Sequence, residues 1–180
     1  LAATDIGGAE EISAMLASAS LRPYASADIV GVELCGALKN VYALGAGAIE
    51  GADLGLSARS AFLARAFAEL TRLVGAAGGS EATLAGLAGI GDLALSCTSA
   101  ASRNYTFGMA LGRGQSVEAI RASGAGLAEG VYTAPVARDL ARRLGAETPL
   151  VEAVNLLLAN PMAIGQIVDK LMTRPLKREG

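Results

Sequence analysis

A long apolar segment of small residues, from residue 29 to residue 49, constrains the fold of this chain more than any other feature. Asp28 precedes the segment as a helix N-cap, and Gly51 and Gly55 follow it, so the pattern predicts one long helix. The whole chain is 52% hydrophobic but only 4% aromatic, and Ala, Leu and Gly dominate it. Because Ala and Leu favour helices and small residues let helices approach closely, the sequence predicts an all-α, multi-helix domain.

The chain divides into two parts of different character. Most of it predicts helices, several of which begin at a capping serine or at a proline. The N-terminal stretch instead predicts a short strand (Leu1–Thr4), a helix (Glu10–Ala19) and a second strand (Leu21–Tyr24). We therefore expect residues 1–25 to be a strand–helix–strand remnant of an α/β domain and residues 26–180 to form the helical domain.

Composition and charge argue against several functions. The net charge of −2 disfavours nucleic-acid binding, which needs a basic surface. The apolar segment contains Glu33, Lys39 and Asn40, which are costly within a bilayer, so we expect no membrane span. Cys35 and Cys97 have neither metal-ligand spacing nor the number that a disulfide framework needs. We therefore expect no metal and a reducing, cytoplasmic location.

Lys39 and Asn40 are the first candidates for chemistry. The chain contains no histidine, so proton transfer near neutral pH needs another carrier. Burial of Lys39 among apolar neighbours favours its neutral amine, which is the form that accepts a proton. The alternative is structural: the lysine lies at the edge of its helix and keeps its ammonium group in water. The spacing alone leaves both interpretations open.

Two further motifs carry polar groups suited to a small anionic ligand. In the stretch Gly89–Leu93, the glycines allow close backbone approach, and Asp92 either accepts hydrogen bonds from hydroxyl groups or caps a helix. In Ser102-Arg103-Asn104, a hydroxyl, a guanidinium and an amide at a helix start suit a phosphate; the alternative is a plain cap beside a solvated arginine. Glu129 follows a glycine-rich turn and is placed to accept a ribose or amide hydrogen bond.

These motifs occur in an order and spacing that resembles a known family. The matching stretches are Asp28–Asn40, Gly86–Leu93, Ser102–Gly108 and Ala128–Val131. Together they resemble the C-terminal half of bacterial NAD(P)-dependent glycerol-3-phosphate dehydrogenases. The resemblance implies an all-helical substrate domain of the 6-phosphogluconate-dehydrogenase C-terminal type, with NAD or NADP as cofactor. It also implies interconversion of sn-glycerol 3-phosphate and dihydroxyacetone phosphate, feeding glycerophospholipid synthesis.

The resemblance implies a role for each site residue. Lys39 is the expected proton acceptor for the substrate hydroxyl. Two positions depart mildly from the family, since Ser96 stands where threonine is usual and Leu127 where valine is usual. The expected ligands of the glycerol phosphate are Lys39, Asp92, Ser102, Arg103 and Asn104, and those of the cofactor are Arg103, Leu127 and Glu129.

The dinucleotide-binding domain of the family, with its glycine-rich strand–turn–helix, has no counterpart in this sequence. We therefore expect that this chain alone does not bind the cofactor with useful affinity and does not turn over. The unpaired strand edges expected at its N-terminus should seek another chain, so we also expect a homodimer.

Two alternatives stay open at the level of sequence. One is another two-domain dehydrogenase of the ketopantoate, opine or 6-phosphogluconate type. Only an enzyme that uses a phosphate ester should lose rate when Arg103 is replaced by alanine, which separates a glycerol-3-phosphate dehydrogenase from the ketopantoate and opine types. The other is a non-catalytic helical dimerisation module in which Lys39 merely lies at the surface.

Overall fold

The computed structural model describes residues 1–124, 126, 128–161, 164–173 and 175. Their regular structure is helical, as the sequence predicts. A single wide turn of π-helix, Leu87–Gly91, leads directly into the fifth α-helix. The α-helices are α1 (Ile6–Leu16), α2 (Ile29–Gly51), α3 (Gly55–Ala76), α4 (Glu81–Leu84), α5 (Asp92–Thr98), α6 (Arg103–Gly112), α7 (Val117–Ala122), α8 (Glu129–Leu144), α9 (Pro149–Ala159) and α10 (Ile164–Met172).

Helix α2 is the centre of the fold. Helices α3, α4, α5, α6, α8 and α9 all pack against it, and 11 of its 23 residues are buried. Asp28 caps its start by accepting a hydrogen bond from Gly31 N at 2.8 Å, which confirms the predicted cap. The same carboxylate accepts hydrogen bonds from Ser80 N at 2.8 Å and from the Thr83 hydroxyl at 2.6 Å. The cap therefore also ties α2 to α4.

The apolar character of α2 follows from this central place. By length and composition alone, the helix could cross a membrane. Half of its most apolar window is buried inside the protein, as is usual for a core helix. Glu33, Lys39 and Asn40 interrupt its apolar sequence, and Lys39 and Asn40 find partners on other helices. Packing in the core thus accounts for the hydropathy of the segment.

Helices α2 and α6 approach each other backbone to backbone. A Cβ atom added at Gly47 would lie 2.0 Å from the carbonyl oxygen of Tyr105, and one added at Gly108 would lie 2.1 Å from that of Leu44. No side chain fits at these distances, so glycine is required where the two helices cross. The close contact brings the start of α6 beside the middle of α2.

The strands predicted at the N-terminus do not form. The helix between them does, but as Ile6–Leu16, because the Asp5 side chain caps it by accepting a hydrogen bond from Gly7 N at 3.1 Å. Among the described residues there is no strand, and one isolated parallel bridge joins Ala2 to Ser26. A single parallel pairing supplies too few ladder hydrogen bonds to order two strands. The predicted strand–helix–strand remnant is therefore wrong.

A carboxylate from α3 holds the N-terminus of α9. Glu69 is fully buried, and its two oxygens accept hydrogen bonds from Leu150 N at 2.8 Å and from Val151 N at 2.9 Å. The Tyr42 hydroxyl donates a third hydrogen bond at 3.4 Å. Burial raises the pKa of Glu69 from 4.5 to about 7, in spite of these donors. The first turn of α9 thus depends on a group that titrates near neutral pH.

Candidate active site

The site begins with an ion pair between α2 and α5. Lys39 projects from α2, and its Nζ atom donates a hydrogen bond to Oδ2 of Asp92, the first residue of α5. Asp92 makes no capping hydrogen bond, so the capping alternative for this residue is wrong. The two side chains are 25% and 32% exposed. Lys39 therefore lies within reach of a ligand but does not extend freely into solvent.

The glycine-rich motif before Asp92 serves backbone packing. In the π-helical turn, a Cβ atom added at Gly89 would lie 2.1 Å from the carbonyl oxygen of Leu84 at the end of α4. Only glycine fits there, and the turn can then fold back on α4. The close turn sets the direction of α5, so that its first carboxylate faces α2.

A chain of amide hydrogen bonds joins α2, α6 and α8. The backbone N–H of Gly130 donates to Oδ1 of Asn104 at 2.8 Å, and Nδ2 of Asn104 donates to Oδ1 of Asn40 at 2.9 Å. Nδ2 of Asn40 then donates to Oε2 of Glu129 at 3.2 Å. Each bond fixes the orientation of the next amide, so the network holds Asn40 and Asn104 in single orientations.

Helix α6 adds a cap and a cation. The Ser102 hydroxyl oxygen accepts a hydrogen bond from Tyr105 N at 3.3 Å, so Ser102 caps the helix. Nη2 of Arg103 lies 3.6 Å from Oε1 of Glu129, and the two side chains are 69% and 62% exposed. The arginine is therefore paired, as well as solvated, and both charged groups stand open to a ligand.

The structure brings most of the predicted site residues into two groups. Ser102 lies at the start of α6, although its hydroxyl oxygen already accepts the capping hydrogen bond from Tyr105 N. Leu127 lies outside the described residues. Two groupings connect the remaining predicted residues: the ion pair of Lys39 with Asp92, and the network that contains Arg103, Asn104 and Glu129.

Two residues that the sequence did not mark as important support the site or the fold around it. Gly130 orients Asn104 through its backbone N–H, and a Cβ atom added there would lie 2.4 Å from the carbonyl oxygen of Asn40. The sequence signal that could have identified Gly130 is its position in the first turn of α8, where a glycine indicates close backbone packing. Glu69 is the second, and its signal was a lone carboxylate among the otherwise apolar buried residues of α3.

The nearby thiols are unsuited to nucleophilic chemistry. Cys35 lies one turn before Lys39, and burial is the main cause that raises the pKa of its thiol to about 11. Burial raises the pKa of Cys97 to about 12. Both thiols therefore stay protonated near neutral pH. Within the described ranges, no three side chains of His, Cys, Asp or Glu are grouped to hold a metal ion.

A family model assigns this helical domain and its site to a known class. The model described as the C-terminus of NAD-dependent glycerol-3-phosphate dehydrogenase matches residues 28–169. This match covers every described residue of the candidate site. The chain therefore belongs to the family of NAD-dependent glycerol-3-phosphate dehydrogenase C-terminal domains.

Individual relatives agree with the family match. The chain is 46% identical over 180 residues to glycerol-3-phosphate dehydrogenase [NAD(P)+] 1 from Sphingopyxis alaskensis. This alignment covers 100% of the chain and 54% of the relative. It is 48% identical over 179 residues to glycerol-3-phosphate dehydrogenase [NAD(P)+] from Gluconobacter oxydans. This alignment covers 99% of the chain and 55% of the relative. The crystal structure of glycerol-3-phosphate dehydrogenase from Coxiella burnetii matches with a TM-score of 0.88 and 36% identity, covering 96% and 53%. The chain thus spans about half the length of these relatives.

Proposed function

We propose that this chain is the substrate-binding part of an NAD(P)-dependent glycerol-3-phosphate dehydrogenase. This oxidoreductase interconverts sn-glycerol 3-phosphate and dihydroxyacetone phosphate, a reaction that supplies glycerophospholipid synthesis. The observation that carries the proposal is the Lys39–Asp92 pair, in which a proton carrier is held in a partly open site. The names of the relatives support the same reaction. Turnover belongs to the longer protein, and we propose that this chain alone has none.

Lys39 acts on the C2 hydroxyl of the substrate. As a neutral amine it accepts the hydroxyl proton, and as an ammonium group it returns a proton to the same oxygen in the reverse direction. Asp92 stays beside Nζ and compensates the ammonium charge, so the lysine keeps one position through both directions. When bound, the nicotinamide ring supplies the hydride chemistry at C2.

The start of α6 binds the substrate phosphate. The Arg103 guanidinium offers two parallel donors to phosphate oxygens, and the free N–H groups of the first helical turn add to them. Ser102 lies at the same helix start, where its hydroxyl hydrogen is available as a donor. Asn104 is buried, and its amide is held by Gly130 N and Asn40, so its second Nδ2 hydrogen is the one that donates to a glycerol hydroxyl. These contacts position C2 for proton transfer.

The cofactor is held by Arg103, Leu127 and Glu129. The exposure of Arg103 and Glu129, more than half of each side chain, supports contact with a group that approaches from outside the helical domain. The sequence leaves the choice between NAD and NADP open, because the residues that read the 2′-phosphate belong to a dinucleotide-binding domain.

The larger organisation is part of the proposal. We place residues 1–25 with the dinucleotide-binding part and residues 26–180 in the substrate domain, in support of which the family match begins at residue 28. Met15, Leu21 and Tyr24 are each more than half exposed, which fits packing of the N-terminal part against further protein. A cytoplasmic location rests on the two free cysteines, and the absence of nucleic-acid binding rests on the net charge. A homodimer rests on the exposed apolar side chains of the N-terminal part, because the strand edges from which it was first expected do not form.

Replacement of Lys39 tests the proposal. In the full-length protein, Lys39→Ala should lower kcat by about 10²-fold or more, because the proton of the C2 hydroxyl loses its acceptor. Oxidation of NADH with dihydroxyacetone phosphate gives the rate. Lys170→Ala, which removes an exposed lysine on α10, is the matched control and should leave kcat unchanged. A loss confined to KM in Lys39→Ala would contradict the assigned role.

A further inference from the structure

Glu129 places a negative charge at the edge of a site that is proposed to bind an anion. Its Oε1 atom lies 3.6 Å from Nη2 of Arg103, and its Oε2 atom accepts the hydrogen bond from Nδ2 of Asn40 at 3.2 Å. The two carboxylate oxygens are thus spread over two donors on two helices. One of these donors, the Arg103 guanidinium, is the cation that the substrate phosphate needs.

The guanidinium of Arg103 cannot serve both groups fully. A bidentate contact with a phosphate requires two N–H groups in one plane, directed at one ligand. The pairing with Glu129 draws the Arg103 side chain towards α8, whereas the phosphate proposed above lies at the start of α6. When phosphate binds, Arg103 must therefore either break its ion pair with Glu129 or divide its N–H donors between the carboxylate and the phosphate.

We propose that Glu129 is an internal competitor for Arg103, which lowers the affinity of the site for phosphate and is displaced when the anion binds. The inference rests on the proposed function, and it adds a specificity-determining role for Glu129 in the free site. Once Arg103 turns to the anion, Glu129 keeps its hydrogen bond to Asn40 and stays in place on α8. Phosphate can therefore displace Glu129 from Arg103 without a change in the fold.

The test compares the affinity of inorganic phosphate for the full-length protein and for its Glu129→Gln variant by isothermal titration calorimetry. Glutamine keeps an oxygen that can accept from Asn40 but carries no charge to hold Arg103. We expect the dissociation constant for phosphate to fall about two- to five-fold at an ionic strength of about 0.1 M, the range of an exposed ion pair. The gain should shrink as salt is added, because screening weakens the competing pair.

Glu152→Gln is the matched control. Glu152 is also an acidic residue in the first turn of a helix, and its Oε1 atom lies 3.4 Å from Nη2 of Arg142. Arg142 lies 13 residues beyond Glu129 on α8, about 20 Å along the helix axis and well beyond the screening length. This variant loses the same charge and the same kind of ion pair. It should leave phosphate affinity unchanged.

The outcomes separate the inference from the function on which it rests. Tighter phosphate binding by Glu129→Gln, with no change in Glu152→Gln, supports the competitor role. Equal or weaker binding by Glu129→Gln overturns it and leaves the phosphate site intact. An equal gain in both variants also overturns it, since the effect would then be one of net charge. Absence of phosphate binding by every variant contradicts the proposed site itself.

Discussion

At the scale of single residues, the chemistry of Lys39 depends on a partner that lies 53 residues further along the chain. The apolar neighbours of Lys39 in the sequence mark it as unusual, and Asp92 is marked by the glycines before it. Nothing in either motif shows that the two side chains meet. Their pairing follows from the packing of α5 on α2, which depends on the backbone contact of Gly89 with α4. Candidate residues were therefore predictable, and their contacts were not.

Glu69 gives a prediction for stability at this scale. Because its pKa is about 7 in the folded protein and about 4.5 as an ordinary glutamate, the folded state keeps the proton between these values while the unfolded chain releases it. The free energy of unfolding must then fall as pH rises from about 4.5 to about 7, by about 3 kcal/mol for this residue. In Glu69→Gln this contribution is absent. Chemical denaturation across the pH range measures it.

The comparison is made as a difference between the two proteins. Subtracting the Glu69→Gln curve from that of the unaltered chain removes the titration of other groups. Glu118→Gln, at an exposed position on α7, serves as the control and should keep the unaltered pH dependence. A difference curve that is flat between pH 4.5 and pH 7 would show that burial does not govern the ionisation of Glu69.

At the scale of elements, local signals were sufficient for helices and insufficient for strands. The caps at Asp28 and Ser102 act within their own first turn, so sequence alone located those helix starts. A strand needs a neighbour, and the pattern at residues 1–4 and 21–24 contains no information about one. The crossing of α2 and α6 was predictable only as a tendency of small residues to pack closely. The tertiary packing decides which glycines face a carbonyl oxygen of the other helix.

Glycine replacements within α2 test the close crossing. Gly47→Ala places a methyl group 2.0 Å from the Tyr105 carbonyl oxygen, so the helices must separate. We expect a loss of about 1–3 kcal/mol or more in the free energy of unfolding, as in overpacked cores. Thermal or urea denaturation followed by circular dichroism provides the measurement.

The same helix supplies the control for this prediction. A Cβ atom added at Gly36 meets nothing within 4 Å, so Gly36→Ala gains helix propensity without a clash. It should raise the free energy of unfolding by about 0.5–1 kcal/mol. If both variants changed stability in the same direction and to the same extent, the backbone contact between α2 and α6 would not be the cause.

At the scale of the whole molecule, the site lies at a part of the helical domain that is open to solvent. Arg103 and Glu129 are largely exposed, and the chain spans about half the length of the relatives it matches. In the proposed enzyme the other half supplies the dinucleotide-binding domain and completes the site around the substrate. The amide network of Asn40, Asn104 and Gly130 is already formed in this half. These side chains are therefore positioned for the substrate without the dinucleotide-binding domain.

A crystal structure of the full-length protein with dihydroxyacetone phosphate bound tests the central claim most directly. We predict that Nζ of Lys39 lies about 2.6–3.2 Å from the C2 oxygen of the substrate, as proton transfer requires. The phosphate should then contact Arg103 at the start of α6. A substrate whose C2 oxygen meets a different donor, while Lys39 bonds to Asp92 alone, would contradict the account.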